Sequence, residues 1–209
     1  TLMVTPMLND LTRRRFVGGA LALAIAPLFL SPRAALALSD AQAKSMVDSL
    51  VARINQVIAS GKSEAAIIRD FEQIFDQYAD VSIIAQSCLG PAARGLSGAQ
   101  LAAYTAAFRG YITRKYGKRF REFVGGRIEV NDAREVKTWH EVITTAYLRG
   151  EAPFEVKFLV SDRSGRDLFF DMFIEGISMR LTEREEIGAM LDRNRGDIAA
   201  LTADLQRAG

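Results

Sequence analysis

Between residues 39 and 123 the apolar side chains recur every three to four positions, the spacing that gathers them on one face of a helix. Ser39 and Asp40 can cap a first helix whose stripe runs Val47, Leu50, Val51, Ile54, Val57, Ile58 until Gly61 ends it. Ser63 caps a second, striped by Ile67, Phe71, Ile74, Phe75 and Tyr78. A short third covers residues 80–88 and stops at Gly90-Pro91. Ser97 opens a long fourth that carries Leu101, Tyr104, Phe108, Ile112, Tyr116, Phe120 and Phe123 on one side, and Gly125-Gly126 closes it.

Beyond residue 126 the period drops to two and β-branched and aromatic residues dominate, which predicts strands over 127–131, 136–149, 154–162 and 167–175. Turns are expected at Asn131-Asp132, residues 150–153 and residues 162–165, the last joining a hairpin. The helical period returns over 182–193 and 197–206. Helices, then sheet, then helices, with no internal repeat or linker, predicts one α+β domain: N-terminal helices packed on a twisted, mainly antiparallel sheet of about four strands, followed by C-terminal helices.

The last two strands do not alternate cleanly. Phe154, Val156, Phe158 and Val160 make one apolar face, and in the partner strand Leu168, Phe170, Met172 and Ile174 share a face while Phe169 and Phe173 take the other. Apolar side chains on both faces fit either helices on both sides or a sheet with part of its surface lining an apolar cavity. Periodicity does not separate the two.

The start of the chain has a different character. Arg13-Arg14-Arg15-Phe16 precedes an apolar run from Val17 to Leu30, and Ala35-Leu36-Ala37 follows. A basic segment, a short apolar segment and a small-residue site read as a cleaved signal peptide over residues 1–37, resembling the twin-arginine type with an ordinary arginine-rich Sec signal as the alternative, which leaves 38–209 as a single domain. The expected compartment is the periplasm. This also changes the charge: of 27 basic and 25 acidic residues, residues 1–37 hold four arginines and one aspartate, so the formal +2 becomes −1 for the remainder. Such a balance gives no electrostatic case for nucleic acid.

Composition excludes much of catalysis. One cysteine and one histidine cannot build a disulfide framework, a cysteine-based zinc site or a multi-histidine metal centre. Cys88 follows an apolar stretch and reads as a buried small hydrophobe, and His140 reads as structural. Asp171 and Glu175 share a strand face and could act as acid and base, but a carboxylate at a sheet edge that caps a loop or meets an arginine is the simpler reading. The acidic run from Glu183 to Glu186 complements a helix start and needs no further role. Arg114, Lys118 and Arg121 lie opposite the apolar stripe of the fourth helix; a solvated face explains them, and the sharper alternative is a docking patch for a partner.

The segment Asp171-Met172-Phe173-Ile174-Glu175-Gly176-Ile177-Ser178 resembles the most distinctive motif of the MlaC, or toluene-tolerance, family of periplasmic phospholipid-binding proteins, whose form is roughly Asp-Val-x-Ile-Glu-Gly-Val-Ser. Asp80, Leu89-Gly90, Arg94, Phe108, Tyr116, Thr144-Thr145 and the stretch from Arg193 to Leu201 fall in the order the family shows, so the resemblance spans about residues 42–206. Departures are Ala93 where the family carries tryptophan, Leu168-Phe169-Phe170 in place of Trp-Lys-Val, and Thr182-Glu183-Arg184 in place of a tyrosine-arginine.

The resemblance implies a monomeric shuttle, without enzymatic activity or cofactor, that holds a phospholipid as cargo. Its partners would be an inner-membrane ABC transporter complex and an outer-membrane lipoprotein complex. It favours the cavity over the doubly covered sheet. Ile177, Met179, Ile174, Met172, Phe170, Phe158 and Val160 are then the expected tail-lining residues, with Ser178 in the motif and Phe75, Phe108 and Tyr147 as further candidates. Competing readings are a small periplasmic isomerase with Asp171 as base, a hopanoid-associated paralogue, and an adaptor with no ligand.

Overall fold

Ser39 starts the first helix by closing a reciprocal cap: its hydroxyl accepts from the Gln42 backbone, and the Gln42 side chain accepts from the Ser39 backbone. A computed structural model describes residues 38–119 and 123–209. The expected leader at 1–37, and Phe120 and Arg121, lie outside the described residues.

Helices α1 (Asp40–Ile58), α2 (Glu64–Tyr78), α3 (Val81–Leu89) and α4 (Gly98–Arg119) come first, with a 3-10 turn at Gly90–Gly95 before α4. Strands β1 (Arg127–Val136), β2 (Trp139–Tyr147), β3 (Phe154–Ser161), β4 (Leu168–Ile174) and β5 (Ile177–Ser178) follow, then α5 (Met179–Arg193) and α6 (Ile198–Arg207). The α+β order is the expected one. The sheet is open and wholly antiparallel, ordered β1-β2-β3-β4-β5.

Three local differences from the sequence pattern have physical causes. The fifth strand, where about four were expected, exists because Glu175 and Gly176 both take positive φ, 49° and 81°, and make a two-residue reversal. Asn131 and Asp132 do not turn the chain; β1 runs through them with a bulge, Asn131 donating to Thr145 Oγ1 at 2.7 Å and Asp132 accepting from the Ala133 amide at 2.9 Å. The reversal falls instead at Lys137, with φ 60°. A second bulge, at Phe170, resets the side-chain parity of β4. Phe169, not Phe170, therefore stands opposite Val160 and joins Met172 and Ile174 on the inner face, while Phe170 meets the Trp139 ring edge-on at 6.1 Å.

Two apolar clusters result. In the first, the α1 stripe packs on Ile128, Val142, Ala146, Val156, Phe158 and Val160 of the sheet. Asn55 adds polar register: its side chain accepts from the Ile128 amide and donates to the Ile128 carbonyl, both at 3.0 Å, completing the ladder at an edge strand. The second cluster joins α3, α4, α5 and α6 around Tyr104, Phe108, Ile187, Leu201 and Leu205. His140 is buried, with Nδ1 2.7 Å from Asp40 Oδ1, and ties β2 to the start of α1. Asp80 caps α3 and its backbone donates to the Phe169 carbonyl at 2.8 Å, so the helical layer is pinned to β4.

Candidate functional site

Phe169 packs against both clusters, and the space between them is not filled. A cavity of about 690 Å³ lies there. Its wall takes Leu50 and Ile54 from α1, Phe71, Ile74 and Phe75 from α2, Ile112 and Tyr116 from α4, Val156 and Phe158 from β3, and Phe169, Met172 and Ile174 from β4. Aromatic rings stiffen one side: Phe71 stacks on Phe75 at 6.2 Å, Phe75 lies 6.3 Å from Phe169, and Phe169 meets Phe158 edge-on at 5.6 Å. The wall is largely apolar, the kind of surface that suits an apolar ligand.

The lining residues that reach solvent mark the mouth. They are Arg119, Glu151, Ala152, Glu175, Ile177 and Thr182, from the end of α4, the β2–β3 loop, the β4–β5 reversal and the first turn of α5. Ile177 is 64% exposed.

Asp171 and Glu183 at the cavity margin hold α5 in place. Asp171, buried, accepts from Ser178 Oγ at 2.7 Å, from the Met172 and Arg180 amides at 2.8 and 3.1 Å, and faces Arg180 Nε at 3.4 Å. Glu183 is also buried, which the reading of residues 183–186 as a simple helix-start run did not anticipate. Its Oε1 accepts from Lys115 Nζ at 2.8 Å and from the Tyr116 hydroxyl at 2.5 Å, clamping α5 to α4. Burial, then the bond to Glu183, pushes the Tyr116 hydroxyl far above the ordinary phenol range, so it remains a neutral donor.

Of the residues singled out in the sequence, Phe75, Phe158, Phe170, Met172, Ile174, Ile177 and Met179 line the cavity. Four do not. Val160 is fully buried in the first cluster, and Phe108 is fully buried between Tyr104 and Tyr111 at 6.1 and 6.5 Å. Ser178 caps α5, its hydroxyl accepting from the Leu181 amide at 3.1 Å. The Tyr147 ring stacks beneath the Arg127 guanidinium at 4.0 Å. Leu50, Ile54, Ile74 and Phe169 line the cavity without having been singled out for it.

The basic face of α4 is partly engaged. Arg114 donates to the Leu205 and Ala208 carbonyls at 2.6 and 2.8 Å, and Lys118 to the Gly209 carbonyl at 2.7 Å. These bonds fasten the end of α6 to α4. Arg121, the third residue of that patch, is outside the described residues. Among the described residues no group of three His, Cys, Asp or Glu gathers to hold a metal ion, and no helix is long and apolar enough to cross a membrane.

An open antiparallel sheet with helices packed over an apolar cavity defines an α+β protein. Residues 44–207 match the family model described as MlaC protein, and the chain belongs to that family. The fold is shared with a solved structure, the phospholipid-binding protein from Ralstonia solanacearum in complex with a phospholipid, at a TM-score of 0.65 and 19% sequence identity. The match covers 81% of this chain and 96% of that one.

Proposed function

We propose that this protein is a periplasmic phospholipid carrier. It holds acyl chains in the cavity, leaves the headgroup at the mouth, and moves lipid between an outer-membrane lipoprotein complex and an inner-membrane ABC transporter complex. The observation that carries this reading is the apolar cavity of about 690 Å³ opening at Ile177 in a member of the MlaC family. The solved relative with this fold was determined with a phospholipid bound.

The energetics suit a carrier. Each methylene moved out of water contributes about 0.8 kcal/mol, so even partial burial of two chains gives tight binding without any polar recognition. The isomerase alternative uses Asp171 as its base, whereas both Asp171 oxygens already accept hydrogen bonds and His140 is paired with Asp40. Transfer of a fluorescent phospholipid between donor and acceptor vesicles tests the reading. Catalysed transfer proportional to protein concentration is expected; transfer no faster than spontaneous exchange would contradict it.

A further inference from the structure

Acyl tails account for the apolar wall of the cavity and leave its polar side chains to explain. Most of these are engaged: Asp171 with Ser178 and Arg180, Arg180 with Ser87, Thr182 with the Ser178 carbonyl. Three at the mouth are not. Arg119, Glu151 and Glu175 are exposed, and among the described residues their side chains have no hydrogen-bond or ion-pair partner. They come from segments that meet at one end of the sheet. The Glu175 amide donates to the Glu155 carbonyl at 3.1 Å, beside the β2–β3 loop that carries Glu151. Gly126, which ends the connection from α4 to β1, packs so closely on the start of that loop that a Cβ there would come within 2.5 Å of the Tyr147 carbonyl and 3.1 Å of Leu148. Glu183 lines the same cavity at 3% exposure, and its Oε2 has no hydrogen-bond partner. The lining therefore leaves over one guanidinium and an excess of carboxylate oxygens.

We infer that the cargo this mouth selects is a zwitterionic aminophospholipid: Arg119 meets the phosphate, and Glu151 and Glu175 meet the ammonium. This deepens the carrier reading above and rests on it. The tails supply the affinity, and the mouth decides between headgroups that the tails do not distinguish. Every phospholipid brings a phosphate, whose charge Arg119 matches. The difference lies beyond the phosphate. A glycerol headgroup adds no charge, so phosphatidylglycerol keeps a net negative charge in front of two carboxylates. An ethanolamine headgroup adds an ammonium with three donors, which the two unpartnered carboxylates accept. Arg149, whose guanidinium lies over Gly125, is outside the lining; counting it with the mouth sets two cations against two carboxylates, which again matches a zwitterion and not an anion. These groups are exposed, so each pairing is weak and the selection is a preference, not an exclusion.

The test incubates the purified protein at neutral pH with vesicles of equal parts phosphatidylethanolamine and phosphatidylglycerol carrying the same acyl chains, re-isolates it, and measures both lipids by mass spectrometry of the extract. Phosphatidylethanolamine should exceed phosphatidylglycerol about threefold at low salt, and the ratio should decline at high salt. In the double variant Glu151→Gln with Glu175→Gln the preference should disappear. Arg119→Gln should lower both lipids alike, because both carry the phosphate. Parity or an excess of phosphatidylglycerol on the unmodified protein, a ratio that salt does not move, or a ratio that the double variant leaves in place overturns the headgroup selection. Loss of one lipid only in Arg119→Gln overturns the role given to Arg119. Unmodified protein that returns with neither lipid fails the carrier reading instead, and the total lipid in the extract tells the two failures apart.

Discussion

Ser178 Oγ lies 2.7 Å from the Asp171 carboxylate and 3.1 Å from the Leu181 amide, so one hydroxyl donates to the strand and accepts from the helix it caps. This pair fixes the direction in which the chain leaves β4 and therefore where α5 meets the cavity. The Asp…Ser spacing of the family motif forms, in this protein, a structural joint.

Removing that joint should be costly. Asp171→Ala leaves Ser178, the Arg180 amide and the Arg180 guanidinium without their shared acceptor, and a loss of about 3 kcal/mol is expected. Ser178→Ala, which removes one cap and one bond to the carboxylate, should cost about 1–2 kcal/mol. Urea midpoints of the two variants and the double variant measure both losses, and the double should fall well short of their sum because the side chains act on each other.

Cargo and stability should separate between two neighbouring inner-face positions. Met172 lines the cavity, so Met172→Trp fills it and should lower co-purifying lipid several-fold with little change in unfolding midpoint. Val160, fully buried and off the cavity, should behave oppositely: Val160→Ala costs about 2 kcal/mol while lipid content is kept. Phosphate assay of extracted lipid beside thermal melts reads both.

Cys88 should be inert in the folded protein. Burial, reinforced by Glu183, pushes its thiol up to about 12 from a usual value of 9.0, so almost no thiolate exists at pH 8. Maleimide labelling at that pH is expected only after unfolding. A raised folded pKa also sets the sign of the linkage: this contribution to stability is whole below about pH 9 and is lost as pH climbs toward 12.

The α4–α5 clamp carries the opposite dependence. Burial alone would raise the Glu186 carboxyl, but hydrogen bonds from Lys115 and Tyr111 outweigh it and hold the group below its usual 4.5. A lowered folded pKa gives stability that is present above the unfolded value and lost as pH falls through the folded one. Lys115→Met should therefore destabilise the protein at pH 7 more than at pH 3, and its stability should fall less steeply below pH 4.5 than that of the unmodified chain. Urea titrations at the two pH values measure the difference.

Element order and helix starts were legible because capping residues and the three-to-four period act locally: Ser39, Asp80 and Asp197 all cap where the pattern places a helix start. What escaped depended on partners distant in sequence. The bulge at Phe170 brings Phe169 opposite Val160, and no alternation of neighbouring residues signals that shift. Glu183 looked like any acidic residue in a first helical turn until Lys115 and Tyr116, some 67 residues away, came to meet it. The cavity itself was readable only as an excess of apolar side chains. Leu50 and Ile54 border the void while Val47 is packed solid, and the same residue types on the same stripe serve both purposes.

The claim that the cavity exists to hold acyl chains is tested most directly by native mass spectrometry of the protein purified without detergent. A population shifted by the mass of one phospholipid, lost on extraction with organic solvent and regained on incubation with vesicles, is the expected result. A single species at the bare polypeptide mass, unchanged after incubation with vesicles, would contradict the account.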